Sequence, residues 1–362
     1  MKFQALREDL VKSMQLQQHS VSSRSVMPIL TGTRMEAGEG KVCFASTDLE
    51  SYTLTSCPAN VEESGVAVVS HKIFSDLLRD LKDEKLYIAM QGNEMVIEGQ
   101  DAQFKLYTMP NEDFPNLPEV GIRIAEVDDC KSFISSIVKA VRSASKDEKR
   151  PTLMGILLEL KGEGIKMVST DSYRLTVQNL DGSMKVQEEG SYIVPAAALQ
   201  NLSRMYGGTG SMEIYRDENR GQLRFHMEDA DYFIRLIEGK FPKYEQFIPE
   251  DIQKKVELSK ERFLGALKRT SLVNTTVKMD IASDRLVLSS ESRDIGEGRE
   301  TLECRYNGDP MVIAFNSKFL EDGIMGVEEE EVTIVVNEPL KPGLVKGKEG
   351  DDYLYVIMPI RI

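Results

Sequence analysis

A spacing of about 120 residues runs through the 362-residue chain and constrains its fold more than any other feature. Thr47-Asp48-Leu49 returns 123 residues later as Thr170-Asp171-Ser172. Phe114-Pro115 returns 127 residues later as Phe241-Pro242. An apolar helical stripe at Ile73, Phe74, Leu77, Leu78 and Leu81 has counterparts around Leu199 and Leu202, and again around Phe319, Leu320 and Ile324. Three units, residues 1–125, 126–255 and 256–362, fit this period, with the Phe-Pro segments as the connections leaving the first two. A single core does not serve a chain of this length, and three copies of one module do.

Each unit reads in the same order. A helix comes early, carried by Leu6, Leu10 and Met14, by Phe133, Ile134, Ile137, Val138 and Val141, and by Phe263, Leu264 and Leu267, each spaced three or four apart. Short alternating runs follow at Lys41 to Ser46, Ile165 to Thr170 and Arg285 to Ser290, introduced by Gly38-Glu39-Gly40, Gly162-Glu163-Gly164 and Ser283-Asp284. After the second helix come further hairpins, such as Leu86 to Met90 with Met95 to Glu98, and Met212 to Tyr215 with Leu223 to Met227. Hairpin linkage implies antiparallel sheets with helices gathered on one face, so the fold class is α+β.

Charge is segregated by segment. Asp and Glu number 59 against 45 Lys and Arg, a net charge of -14 that by itself repels nucleic acid. Yet Lys131 to Arg150 holds six basic residues against two acidic, and Ser259 to Arg269 four against one. One such helix is an ordinary solvated face; several on one surface make a phosphate-binding track. Catalytic signals are missing from the sequence. His19, His71 and His226 lack a second ligand at metal spacing, and no nucleophile motif, phosphate loop or dinucleotide fingerprint occurs, so no cofactor and no metal are expected. The four cysteines are scattered without CxxC pairing, which fits reduced thiols in a cytoplasm, and no run is apolar enough for a signal peptide or a membrane span.

Ordered segments along the whole chain then carry a resemblance. Met1-Lys2-Phe3, Arg24-Ser25-Val26-Met27-Pro28-Ile29-Leu30, Thr47-Asp48-Leu49-Glu50, Asp113-Phe114-Pro115-Asn116-Leu117, Arg150-Pro151-Thr152-Leu153-Met154-Gly155, Thr170-Asp171-Ser172-Tyr173-Arg174-Leu175, Lys240-Phe241-Pro242-Lys243-Tyr244 and the stretch from Tyr353 to Ile362 together resemble the bacterial β sliding clamps. The resemblance implies three similar domains of antiparallel sheets with two helices each. It also implies a head-to-tail homodimer that closes a ring around double-stranded DNA without reading its sequence. The function it implies is processivity: the ring tethers the replicative polymerase and catalyses nothing itself.

The resemblance assigns residues as well. Arg24, Lys72, Lys139, Arg142, Lys146, Lys149 and Arg204 are expected to face the duplex. Phe104 and Lys105 on one edge, with Leu272, Val273, Glu300 and Glu303 on the other, are expected at the dimer interface, with Lys105 opposite Glu300 or Glu303. A peptide-binding cleft is expected from Leu153, Thr170, Ser172, Tyr173, Arg174, Leu175, Pro242, Phe247, Asn316, Phe319, Leu344, Val356, Met358, Pro359, Ile360 and Arg361. The implied occupants are segments of the DNA polymerase III alpha subunit, the clamp loader delta subunit, other polymerases and mismatch repair proteins, each bearing a glutamine and two large apolar side chains. Ser172 and Tyr173 stand where a Gly-His pair is common, and Gln246 where a basic residue often occurs, while Phe247 narrows one subsite. The competing readings are a ring-forming clamp-like paralogue with a non-replicative role, a hydrolase built on the acidic clusters, and a monomeric peptide-binding scaffold.

Overall fold

The computed structural model describes residues 1–22, 26–208, 210–249, 254–347 and 352–361. Six helices occur among them, two per sequence repeat: α1 (Arg7–Gln17), α2 (His71–Asp80), α3 (Cys130–Val141), α4 (Ala196–Met205), α5 (Lys260–Thr270) and α6 (Ser317–Gly326). The first helix of each pair follows an opening strand, Lys2–Leu6, Ile122–Val127 or Lys254–Ser259. The second follows Gly65–Ser70, Gly190–Pro195 or Met311–Asn316. Between the two helices a three-strand meander recurs: Gly32–Gly38, Lys41–Thr47 and Ser51–Pro58; then Gly155–Lys161, Gly164–Thr170 and Arg174–Leu180; then Thr276–Ala282, Arg285–Ser292 and Gly296–Glu303. All these pairings are antiparallel, as the hairpin spacing requires.

Two helix starts show local chemistry at work. Ser259 accepts from the Arg262 amide ahead of α5, and the Asn316 side chain accepts from the Lys318 and Phe319 amides ahead of α6. In α5, Glu261 sits in the first turn and Lys268 and Arg269 in the last, matching the helix dipole at both ends.

The chain packs as two compact units, Met1–Cys130 with Lys185–Glu188 and Asn201–Leu236, and Lys131–Met184 with Glu189–Gln200 and Ile237–Ile362. These cut across the sequence repeats, and strand pairing gives the reason. In the first unit, strand Asp231–Arg235 of the second repeat pairs with Ser51–Pro58 of the first. In the second unit, Tyr353–Ile357 of the third repeat pairs with Arg174–Leu180 of the second. Each junction thereby hides two strand edges.

The apolar stripes read from the sequence line the cores. Phe3, Leu10, Met14, Phe44, Phe74, Leu78, Leu86 and Ile97 form one cluster in the first unit. In the second unit, Phe263, Leu267, Met279, Leu288, Leu320, Ile324, Ile334 and Tyr355 form another. Leu157, Val168, Leu175, Val177, Ile193, Tyr244, Val335, Leu344 and Val356 form a smaller cluster in the same unit, with Phe241 and Ile248 packed on it.

Candidate functional site

Within the second unit, the turn joining strands Gly164–Thr170 and Arg174–Leu180 is built by its own side chains. The Thr170 hydroxyl donates to the Arg174 carbonyl at 2.6 Å and accepts from the Ser172 amide, while Asp171 Oδ1 accepts from the Tyr173 and Arg174 amides. Ser172 is held at φ 79, the left-handed region in which glycine is at ease. Arg150 donates to the Ser172 hydroxyl at 2.9 Å, so the serine adds a polar latch that glycine lacks. The first repeat carries the same turn: Thr47 donates to the Ser51 carbonyl and accepts from the Leu49 amide, Asp48 Oδ1 accepts from the Glu50 and Ser51 amides, and Leu49 has φ 76.

Beside this turn, Leu175 lies opposite Val356, and Val356 opposite Leu344 on the next strand, so three apolar side chains share one row. All three are buried. The Met358 amide donates to the Tyr173 carbonyl, and the Ile360 amide donates to the Ala314 carbonyl, which ties the end of the chain down along the sheet. Around the row, Tyr173 is 61% exposed, Phe247 53% and Met358 42%. Three large apolar side chains in water on segments flanking a buried apolar row make an exposed apolar patch. Leu153 and Thr170 are buried; Pro242, Asn316, Phe319, Pro359 and Ile360 are half-buried; Ser172 and Arg361 are exposed.

Arg174 is committed inside the protein rather than presented to solvent. Its guanidinium bonds Asp171 at 2.9 Å and Asp322 at 2.6 Å and lies 4.2 Å over the Phe319 ring, and both carboxylates are nearly as buried as it is. It therefore fastens the turn to α6.

The basic residues divide into two classes. Lys72 and Arg204 in the first unit, and Lys146 and Lys149 in the second, are exposed and have no ion pair among the described residues. Lys139 and Arg142 depart from the expectation of phosphate contact. The Lys139 side chain is 11% exposed, bonded to Glu328 at 2.7 Å and set over the Tyr353 ring, and it holds the Glu328 carboxyl below its ordinary range. Arg142 donates to the Asp322 carbonyl. The acidic run after α6 captures Lys139, and a carbonyl within α6 takes Arg142, which spacing along α3 alone did not reveal. Arg24 lies outside the described residues.

Sequence reasoning missed two cations. In the first unit, Lys12, His19 and Arg79 line a groove of about 430 Å³ with Arg204. Lys12 is paired with Asp229 and Arg79 with Asp76, which leaves Arg204 as the cation there without an ion pair among the described residues. Burial, opposed by the Asn201 hydrogen bond and helped by nearby Arg204, lowers the His19 pKa and keeps it neutral. Packing of α1 against α2 brings Lys12 to Arg79, and α4 adds Arg204, so no local pattern marked them.

Each unit also has an open strand edge. Strand Gln103–Met109 pairs along Glu94–Glu98 but meets Gly65–Ser70 only at Thr108 and Met109, which leaves Gln103 to Tyr107 without a strand partner on one side among the described residues. Strand Gly296–Glu303 is the outermost of its four-stranded sheet. Phe104 is 40% and Leu272 76% exposed near these edges. Glu300 takes a bidentate bond from Arg269, and Glu303 pairs with Arg262, while Lys105 stands 4.0 Å from Glu94. The carboxylates expected to meet Lys105 thus already have partners within the chain.

Comparison with known proteins covers the full length. Models described as the N-terminal, central and C-terminal domains of the DNA polymerase III beta subunit match residues 1–118, 128–243 and 245–361. A beta sliding clamp of Streptomyces coelicolor is 28% identical with both chains fully covered, and one from Staphylococcus aureus is 28% identical over 100% of this chain and 99% of its own. Among solved structures, the DNA polymerase sliding clamp of Bacillus subtilis superposes with a TM-score of 0.94 at 25% identity, covering 100% of this chain and 99% of that one. The DNA polymerase III beta subunit of Thermotoga maritima superposes with a TM-score of 0.91 at 26% identity and the same coverage.

Proposed function

The chain belongs to the DNA polymerase III beta subunit family, the sliding clamps, and from that premise we propose how its own residues encircle duplex DNA and tether a polymerase to it. The observation that carries the reading is the match of all three repeats to the three family domains in order. Residues 1–125, 126–255 and 256–362 serve as the three domains. Two copies join head to tail, the free edge at Gln103 to Tyr107 of one taking strand Gly296–Glu303 of the other, with Phe104 against Leu272 and Val273. Since Arg269 and Arg262 neutralise Glu300 and Glu303, the join rests on backbone pairing and apolar contact more than on Lys105.

Lys72, Lys146, Lys149 and Arg204 supply sequence-independent phosphate contacts, and Arg24 is assigned with them. Lys139 and Arg142 serve chiefly to hold α3 against the third repeat. Enclosure keeps the ring on DNA while weak contacts let it slide. The row Leu175, Val356 and Leu344, rimmed by Tyr173, Phe247 and Met358, docks the polymerase, the clamp loader and repair proteins through short apolar segments. The protein acts without a catalytic step of its own, in the cytoplasm.

Retention on nicked circular DNA tests the function. The chain is expected to stay bound to the circle through a gel-filtration column and to be released once the circle is cut. Equal retention on circular and linear DNA would refute enclosure.

A further inference from the structure

The peptide face has a counterpart on the same backbone frame in the first unit, where three of its apolar positions carry charged side chains instead. Subtracting 123 from Leu175 and Val356 gives Tyr52 and Phe233, which are themselves cross-strand partners. The bond from the Met358 amide to the Tyr173 carbonyl, 2.9 Å, returns as Arg235 amide to Glu50 carbonyl, also 2.9 Å and also shifted by 123 at both ends. Across the next pair, Leu344 opposite Val356 is matched by Arg224 opposite Phe233. Tyr173, Leu344 and Met358 on one face are therefore replaced by Glu50, Arg224 and Arg235 on the other.

Arg224 fills its position. Its guanidinium lies 4.6 Å over the Tyr215 ring and 5.8 Å over the Phe233 ring, and bonds Asp231 at 2.8 and 2.7 Å, with the side chain 11% exposed. Asp231 is held a second time by His226 at 2.6 Å. An apolar peptide laid on this face would have to desolvate Glu50 and Arg235 and displace a paired, stacked guanidinium, which costs more than its apolar contacts return.

We infer that Glu50, Arg224 and Arg235 are specificity-determining residues that restrict each chain to one docked peptide by closing the repeat-related copy of the docking face. The inference rests on the peptide-docking reading above. Its test is calorimetric titration of the full chain with a synthetic peptide carrying one glutamine, one leucine and one phenylalanine. The wild type is expected to bind one peptide per chain, weakened at least tenfold by Met358→Ala. The combined variant Glu50→Tyr, Arg224→Leu, Arg235→Met is expected to bind two, and to bind one when Met358→Ala is added. The reverse exchange, Tyr173→Glu with Leu344→Arg and Met358→Arg, is expected to abolish binding in a chain that still unfolds cooperatively. Should the combined variant fail to fold, Glu50→Tyr with Arg235→Met, which leaves the Arg224 stack intact, is expected to gain a weaker second site. A wild type that binds one peptide beside a folded exchanged chain that also binds one overturns the inference alone. A wild type that binds none, or that binds undisturbed by Met358→Ala, overturns the docking reading beneath it.

Discussion

At the scale of single residues, three positions carry stability effects whose sign follows from geometry. Leu49 is held at φ 76 with its side chain 41% exposed, a conformation that costs a side-chain-bearing residue about 1–2 kcal/mol. Leu49→Gly removes that strain and adds unfolded-state entropy of about 0.4–1 kcal/mol, so a net gain of about 0.5–1 kcal/mol is expected in urea unfolding; a loss above ~1 kcal/mol would contradict it. Arg174 stands between two buried carboxylates, and Arg174→Ala leaves Asp322 with Lys318 alone as its cation and Asp171 with backbone amides alone. Breaking a buried pair from one side costs about 3–5 kcal/mol when the remaining charge keeps no partner, so a smaller loss of about 2–3 kcal/mol is expected from the same unfolding curves. His71 is buried against the Thr33 hydroxyl, and burial above all pushes its pKa down to about 4. Above its ordinary value near 6.5 the folded and unfolded chains are both neutral there and nothing changes. As pH falls from 6.5 to 4 only the unfolded chain takes up the proton, so stability falls through that window by about 3 kcal/mol. His71→Gln is expected to flatten that part of the pH profile, and an unchanged profile would show that another group sets it.

Helices and strands were the most legible scale. Stripes at three- and four-residue spacing marked α1 through α6 because each helix buries one face, and α5 illustrates the energetics: Phe263 is fully buried and Phe263→Ala is expected to cost about 3–5 kcal/mol by thermal or denaturant unfolding. Hairpins were equally visible, since turn residues and period-two alternation are local. The Thr-Asp turn was legible as a repeat, and the structure adds that its hydrogen bonds repeat too. The partners of charged side chains were not legible. Lys139 looked like any solvent-facing lysine on α3, yet it meets Glu328, 189 positions along the chain. Arg174 was expected among the peptide-binding residues, and nothing in the spacing showed that it also bonds Asp322 in α6, 148 positions along the chain. Long side chains choose partners in space, and sequence separation carries no information about that choice.

For the whole molecule, the proposed function rests on closure and on charge. Phe104→Asp or Leu272→Asp places a carboxylate where two apolar side chains are proposed to meet, and is expected to raise the dimer dissociation constant at least about tenfold. Sedimentation should then show folded single chains, with loss of retention on circular DNA; a stable dimer in both variants would move the interface elsewhere. Arg204→Ala is expected to lower the salt dependence of DNA association by about 0.9 in log-log slope, the share of one phosphate. Lys139→Ala is expected to leave that slope unchanged and to reduce stability instead, because its charge is already spent on Glu328.

The sequence by itself determined the threefold period, the α+β order within each repeat, the core stripes and the family, because all of these are written in spacings of a few residues or in segments read in order. Tertiary structure alone decided which strands join neighbouring repeats, which cations remain unpaired among the described residues, and that one strand-and-turn frame occurs twice, with Tyr173, Leu344 and Met358 on one copy and Glu50, Arg224 and Arg235 on the other. Those features depend on strand register and on where long side chains end, and both are settled only when residues far apart in the chain pack together.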